Sequence, residues 1–195
     1  GLELLDVTER NPLKTSSYGA GQLISAALRT GAQKIIIGLG GSATNDAGSG
    51  MAEALGVQCF DYEGNIIHPN GGNLQSIRQI KIDRLNPLLL EKELLVATDV
   101  NNVLCGPQGA SRVYGPQKGA TPVVADQLDK NLYHFGKLLE ESFNKEIINI
   151  PGSGAAGGLA VIFLALTNAQ IKPGFDIINE ITLFEMSAKE ADIIF

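Results

Sequence analysis

Apolar residues recur along the chain at two spacings, and the two alternate. Leu23, Ile24, Ala27 and Leu28 fall three to four apart, which predicts a helix over 21–32. The β-branched run at 34–39, bounded by glycines, predicts a short buried strand. A second helix over 46–55 and a second strand over 57–60 follow. Further on, 94–98 reads as a strand. Leu128, Leu132, Phe135, Leu138 and Leu139 put one apolar face on a long helix over 123–143. The pattern then predicts an apolar helix over 157–169, a short helix over 176–184 and a last strand over 191–195. Ile77, Ile80 and Ile82 alternate with polar residues, as an edge strand or arm within 75–82 would. Residues 62–72 read as loop. This alternation is the signature of an α/β fold, with a mixed or parallel sheet and flanking helices.

The segments between these elements are rich in small residues. Residues 38–46, 99–110 and 151–158 stand out, the last after "EIINI" read as a strand. Ligands in open α/β sheets bind at the carboxyl ends of strands, so these loops are candidates for one shared cleft. Residues 102–122 form a long irregular stretch with several glycines and prolines, a length that is uncommon unless functional.

The first loop carries Gly40, Gly41, Ser42, Thr44, Asn45 and Asp46. Glycines open the main chain to a ligand. The short polar side chains add donors, and Asp46 stands where a helix N-cap should stand. Backbone N–H groups at such a junction favour an anion. Gly38, Gly40 and Ala43 also fit the dinucleotide pattern G-x-G-x-x-A, with Asp61 as its acidic partner. Against that pattern, Asp46 would set a negative charge where a pyrophosphate must lie. A capped helix after a tight turn is the plain structural alternative.

In the second loop Asp99 ends a strand, where a carboxylate can act as a general base or hold Mg2+. Asn102 follows it, and Arg112 and Lys118 are cations suited to phosphate or carboxylate. Turn capping and solvated loop charge are the alternatives for these residues. The third loop surrounds Ser153 with glycines, as an anion nest or as tight helix packing would require. No phosphate-binding G-x-x-x-x-G-K-[ST], no G-x-S-x-G and no zinc motif occurs. His68 and His134 lack partner patterns and read as surface residues.

Length and charge narrow the classes further. A chain of 195 residues can bury roughly 70% of its unfolded surface and needs no metal or disulfide staple. Its net charge of −6 gives no pull toward nucleic acid or an anionic membrane. Cys59 and Cys105 do not make a disulfide scaffold, which fits a reducing, cytoplasmic setting. The apolar stretch over 159–166 is too short for a membrane span. The start at Gly1 and the stop after "ADIIF" suggest a piece of a longer protein. Nothing in the sequence speaks to oligomeric state.

Four stretches, "TSSYGAGQLI", "IIIGLGGSATNDAGSGMAEALG", "ATDVNNVLCGPQGASRVYGPQKGA" and "PGSGAAGGLA", together resemble the class I bacterial glycerate kinases, in order and approximate spacing. The resemblance implies ATP-dependent phosphorylation of glycerate to a phosphoglycerate, with Mg2+. It also implies that 1–195 is the central α/β domain of a two-domain protein, with the flanking segments of the other, Rossmann-like domain missing. The family's frequent Thr-Asn-Pro is replaced by Asn101, Asn102 and Val103, which weakens any role for Asn101. On this reading Asp99 or Asp46 serves as base or Mg2+ partner, with Asp99 favoured. Gly40, Gly41, Ser42, Thr44, Asn45, Asn102, Arg112, Lys118 and Ser153 bind substrate or phosphate. Two other classes stay open: a dinucleotide-binding oxidoreductase domain and a non-catalytic module that binds a small acid.

Overall fold

The computed structural model describes residues 1–193. Its elements, in chain order, are α1 (Tyr18–Leu28), β1 (Lys34–Gly38), α2 (Ser49–Ala54), β2 (Gln58–Phe60), β3 (Ile66–Ile67), β4 (Gln79–Lys81) and α3 (Leu88–Glu91). β5 (Glu93–Ala97), α4 (Ala110–Tyr114), α5 (Pro122–Phe143), α6 (Ala155–Gly158), α7 (Ala160–Leu166), β6 (Gln170–Lys172), α8 (Gly174–Thr182) and α9 (Phe184–Lys189) complete the chain. Four short 3-10 turns join them, at Leu2–Leu4, Val7–Glu9, Leu74–Ser76 and Pro116–Lys118.

The strands form two sheets. One is parallel, in the order β1-β5-β6, with Ile36 opposite Leu95 and Val96 opposite Ile171. The other is antiparallel, in the order β3-β2-β4, with Cys59 between Ile67 and Ile80. The mixed α/β architecture read from the sequence is therefore present, but the second expected strand leaves the parallel sheet for an antiparallel one. β1 is an edge strand among the described residues, and Ile36 is 40% exposed rather than buried.

α5 is the longest helix. Thr121 caps its start by accepting from Val124 N, Pro122 takes the first turn, and Asn144 ends it in the left-handed conformation (φ 51°). Its buried face carries Leu128, Leu132, Phe135 and Leu139, while Leu138 is only half-buried. Phe135 joins one core with Phe163 of α7, Met51 of α2, Leu94 and Val96 of β5, and Cys59 of β2.

Several expected elements take another form. "EIINI" is not a strand: Ile147 and Ile148 are buried, but their N–H groups go to Glu140 Oε1 instead of a neighbouring strand. The long irregular stretch contains α4 and a 3-10 turn. The expected helix over 157–169 shortens to α7, and β6 follows it. The helix over 176–184 starts earlier, as α8, and breaks at left-handed Leu183 before α9. Of the strand expected over 191–195, residues 191–193 form none and the last two lie outside the described residues.

Candidate active site

The parallel register sends the carboxyl ends of β1, β5 and β6 to one edge of the sheet. Beyond β1 the chain does not enter a helix at once. Ala47 (φ 53°) and Gly48 (φ 68°) are left-handed, which delays α2 to Ser49 and folds residues 39–48 into a loop. Thr15 Oγ1 pins that loop by donating to Ala43 O at 2.9 Å.

Asp46 lies beneath the loop with no solvent exposure. Its carboxylate accepts from Ser17 N and Ser17 Oγ, both at 2.8 Å, and from Gly48 N at 3.2 Å. Ser17 Oγ in turn accepts from Met51 N at 2.9 Å. The group therefore ties the start of α1 to α2, and burial pushes its carboxyl above the usual range against those donors. It makes an Asx-type bond to Gly48 N but is not the cap expected from the sequence, because the left-handed turn delays α2 and leaves Gly48 as its N-cap.

Lys118 reaches the same loop from the far side. The side chain is 2% exposed, and Nζ donates to Ser42 Oγ at 2.9 Å and to Thr44 O at 2.7 Å. Burial lowers its ammonium to about 8, with the charge of Asp46 opposing that shift. Asn45, also fully buried, donates through Nδ2 to Ser111 Oγ at 2.8 Å. Its Oδ1 and Thr44 Oγ1 have no partner among the described residues.

A cavity of about 110 Å³ opens over this arrangement, lined by Gly40, Gly41, Ser42, Tyr114, Lys118 and Ala156, among others. A larger one of about 540 Å³ lies on the other side of the same loop, against Leu23 and Ile24 of α1 and Leu159. Asn102 stands behind the smaller cavity. It accepts from Tyr114 OH at 2.6 Å and donates to Gln108 O at 2.8 Å. Asp99 is exposed at the end of β5, where Oδ1 accepts from Gly174 N at 2.8 Å and so caps the start of α8.

Two expected residues stand apart from this cluster. Arg112 turns to α5, pairing with Asp126 at 3.0 Å and Asp129 at 3.8 Å, and is half-exposed. Ser153 is sealed, donating to Ile148 O at 2.9 Å. The glycines around it serve close packing. A Cβ on Gly154 would overlap Val103 O, and one on Gly157 would overlap Thr44 O. His68 is a surface residue paired with Glu53, whereas His134 is half-buried against Ile77 O at 2.8 Å. Ser17, Ser111 and Tyr114 escaped the sequence reading. Ser17 had a visible signal in its place just before the apolar periodicity of α1, and Tyr114 had none.

Comparisons with known proteins identify the family. A family model described as the glycerate kinase family matches residues 1–195. The chain is 45% identical to a glycerate kinase of Bacillus subtilis over 194 residues, all of this chain and 51% of that protein. It is also 45% identical to a glycerate 2-kinase of Escherichia coli over 179 residues, 92% of this chain and 47% of that protein. A crystal structure assigned to glycerate kinase 2 of Salmonella typhimurium LT2 superimposes with a TM-score of 0.89 at 43% identity, covering 92% of this chain and 48% of that one. This chain spans about half the length of the curated relatives it matches. None of these matches supports the oxidoreductase or binding-module alternatives. The chain belongs to the glycerate kinase family.

Proposed function

We propose that this chain is the central α/β domain of a longer two-domain glycerate kinase. The parent protein transfers a phosphoryl group from MgATP to a hydroxyl of glycerate in the cytoplasm. The observation that carries this reading is the meeting of the loop after β1, the segment after β5 and the turn of α6 around one cavity, with the buried Lys118 ammonium held between Ser42 Oγ and Thr44 O. Phosphoryl transfer is largely positioning and charge stabilisation, which a rigid cradle of oriented hydrogen-bond donors supplies.

Magnesium enters with the nucleotide as MgATP, a substrate. The Gly40–Asn45 backbone and Ser42 offer donors to an anionic oxygen of either substrate, and Lys118 is anchored to that loop through Ser42 Oγ and Thr44 O. The glycerate hydroxyl oxygen forms the new P–O bond, the bond to ADP breaks, and the hydroxyl proton passes to a carboxylate. Asp99 fits that base: one oxygen is held by Gly174 N–H, which orients the group, and the side chain is open to solvent. Asp46 acts instead by holding the loop, since its oxygens are engaged with Ser17 and Gly48. Arg112 and Ser153 stabilise the domain.

The test is 31P NMR of MgATP with D-glycerate and the parent protein, repeated with the 195-residue chain. A new phosphomonoester signal from the parent supports the reading. No signal from the parent overturns it. In the parent, Asp99→Asn keeps the bond to Gly174 N but removes the base, so kcat should fall by about 10²–10⁴-fold. Near-normal turnover would take that role from Asp99.

A further inference from the structure

Ser42 Oγ lies 2.9 Å from Lys118 Nζ. An ammonium has three donors and no acceptor, so in this contact the serine oxygen accepts. The hydroxyl proton of Ser42 must then point elsewhere. Three hydroxyls nearby spend theirs on the protein, Thr15 on Ala43 O, Ser17 on Asp46 and Ser153 on Ile148 O, while Thr44 Oγ1, also without a partner among the described residues, is buried away from solvent. Among the described residues Ser42 Oγ donates to none, and Ser42 and Lys118 both line the 110 Å³ cavity. Ser111 also accepts, from Asn45, but it is sealed in the interior.

Lys118 cannot easily follow a ligand outward. Its stem is buried, and Thr44 O holds a second proton at 2.7 Å. An ammonium anchored in this way fixes the polarity of its neighbour more firmly than it fixes a mobile anion.

We propose that Lys118 is a positioning residue that makes Ser42 an obligate hydrogen-bond donor into the cavity, where the Ser42 hydroxyl grips an anionic oxygen of the ligand. The inference rests on the kinase reading and adds a role for each of these two side chains. The anionic oxygen belongs to the carboxylate of glycerate or to a phosphoryl group of the nucleotide, and the kinetics separate the two.

The parent protein is assayed with D-glycerate and MgATP as wild type, Ser42→Ala, Ser42→Thr, Lys118→Met and the Ser42→Ala/Lys118→Met double variant. Ser42→Ala should lower kcat/KM by about tenfold to a hundredfold, the range for one hydrogen bond to a charged group. The loss falls on the substrate that supplies the oxygen, and Ser42→Thr recovers most of it. Lys118→Met should cost a similar factor, and the double variant should be little worse than either single one. Losses that multiply in the double variant would make Lys118 a direct ligand and overturn the proposal. So would unchanged kinetics in Ser42→Ala.

A pH profile provides a readout independent of the Lys118 variant's folding. Burial lowers the Lys118 ammonium to about 8, with the charge of Asp46 opposing the shift, and Arg10 bonds to the adjacent Gln117 O. Wild-type kcat/KM should fall above that pH, because a neutral amine no longer forces Ser42 to accept. Ser42→Ala should lose this limb, and its persistence there overturns the proposal. If the parent transfers no phosphoryl group, the kinase reading fails separately. Calorimetric titration with D-glycerate and with inorganic phosphate then decides. Weaker binding by Ser42→Ala sustains the donor role; equal binding, or none by the wild type, ends it.

Discussion

Lys118 and Asp46 are charged side chains hidden beside one loop, and hiding a charge costs free energy unless partners meet it. Asp46 meets two donors on Ser17 and one on Gly48; Lys118 meets two acceptors. For the lysine, burial still wins, lowering the ammonium from 10.5 to about 8. Between those two values the unfolded chain holds a proton that the folded chain has released. Stability therefore rises with pH across that window on account of this group. Asp46 works in a lower window and in the other direction. Its carboxyl is raised, so the folded chain keeps the proton longer and this contribution falls as pH rises above 3.8. Urea unfolding at pH 7.5 and pH 10 isolates the lysine. Relative to Lys118→Met, the wild type should gain roughly 2 kcal/mol over that interval, at about 1.4 kcal/mol per unit. Parallel pH slopes for the two proteins would refute the buried-ammonium account.

At the scale of elements, the site exists because the turn of α6 packs into the loop after β1. Gly157 (φ 75°) lies against Thr44 O and Asn45 Cα, and its carbonyl is tied in by Ala47 N, which donates to Gly157 O at 3.0 Å. Gly157→Ala would force a Cβ into Thr44 O and strain a left-handed position at once. The expected outcome is a loss of about 2–4 kcal/mol in stability. In the parent, it should also cause a fall in kcat/KM as Thr44 O moves off Lys118. Urea unfolding and steady-state assay check the two parts; unchanged values would mean that the loops are not interlocked. This contact also shows where sequence reading stops. The periodicities of α1 and α5 were legible because a helix face repeats locally. The glycine run at 151–158 was visible, but anion binding and close packing ask for the same residues, and only the partner across the gap separates them. β6 was hidden for a similar reason, since three residues carry too little pattern and its strand state comes from pairing with β5. "EIINI" looked like a strand because its isoleucines are buried, yet a single side chain, Glu140, takes the N–H groups that a sheet would have used. Among the candidate residues, Lys118 and Ser42 were chosen separately by type. Their contact spans 76 positions of sequence and has no local signature.

At the scale of the whole molecule, two sheets of different type share one core. Cys59 of the antiparallel sheet belongs to the same buried cluster as Ile35 and Val96 of the parallel one and Phe135 of α5. Cys105 packs at its margin. Burial pushes the Cys59 thiol up to about 12, with the charge of Glu53 adding to the shift. Burial raises Cys105 as well, with Asp129 adding to it. Neither thiol ionises at neutral pH, and the thiolate is the reactive form, so modification must wait for an opening. A continuous core gives a physical reason for that opening to be shared. Exposing Cys59 removes β2 from the packing that also supports β5 and α5, so partial release leaves apolar surface without partners. The two thiols should therefore react with a disulfide reagent in a single phase as urea is raised. The midpoint should coincide with the loss of helical circular dichroism. If Cys59 reacted at lower urea than Cys105, the antiparallel sheet would be a separate unit that opens on its own. The shared core would then be a contact between two units rather than the centre of one.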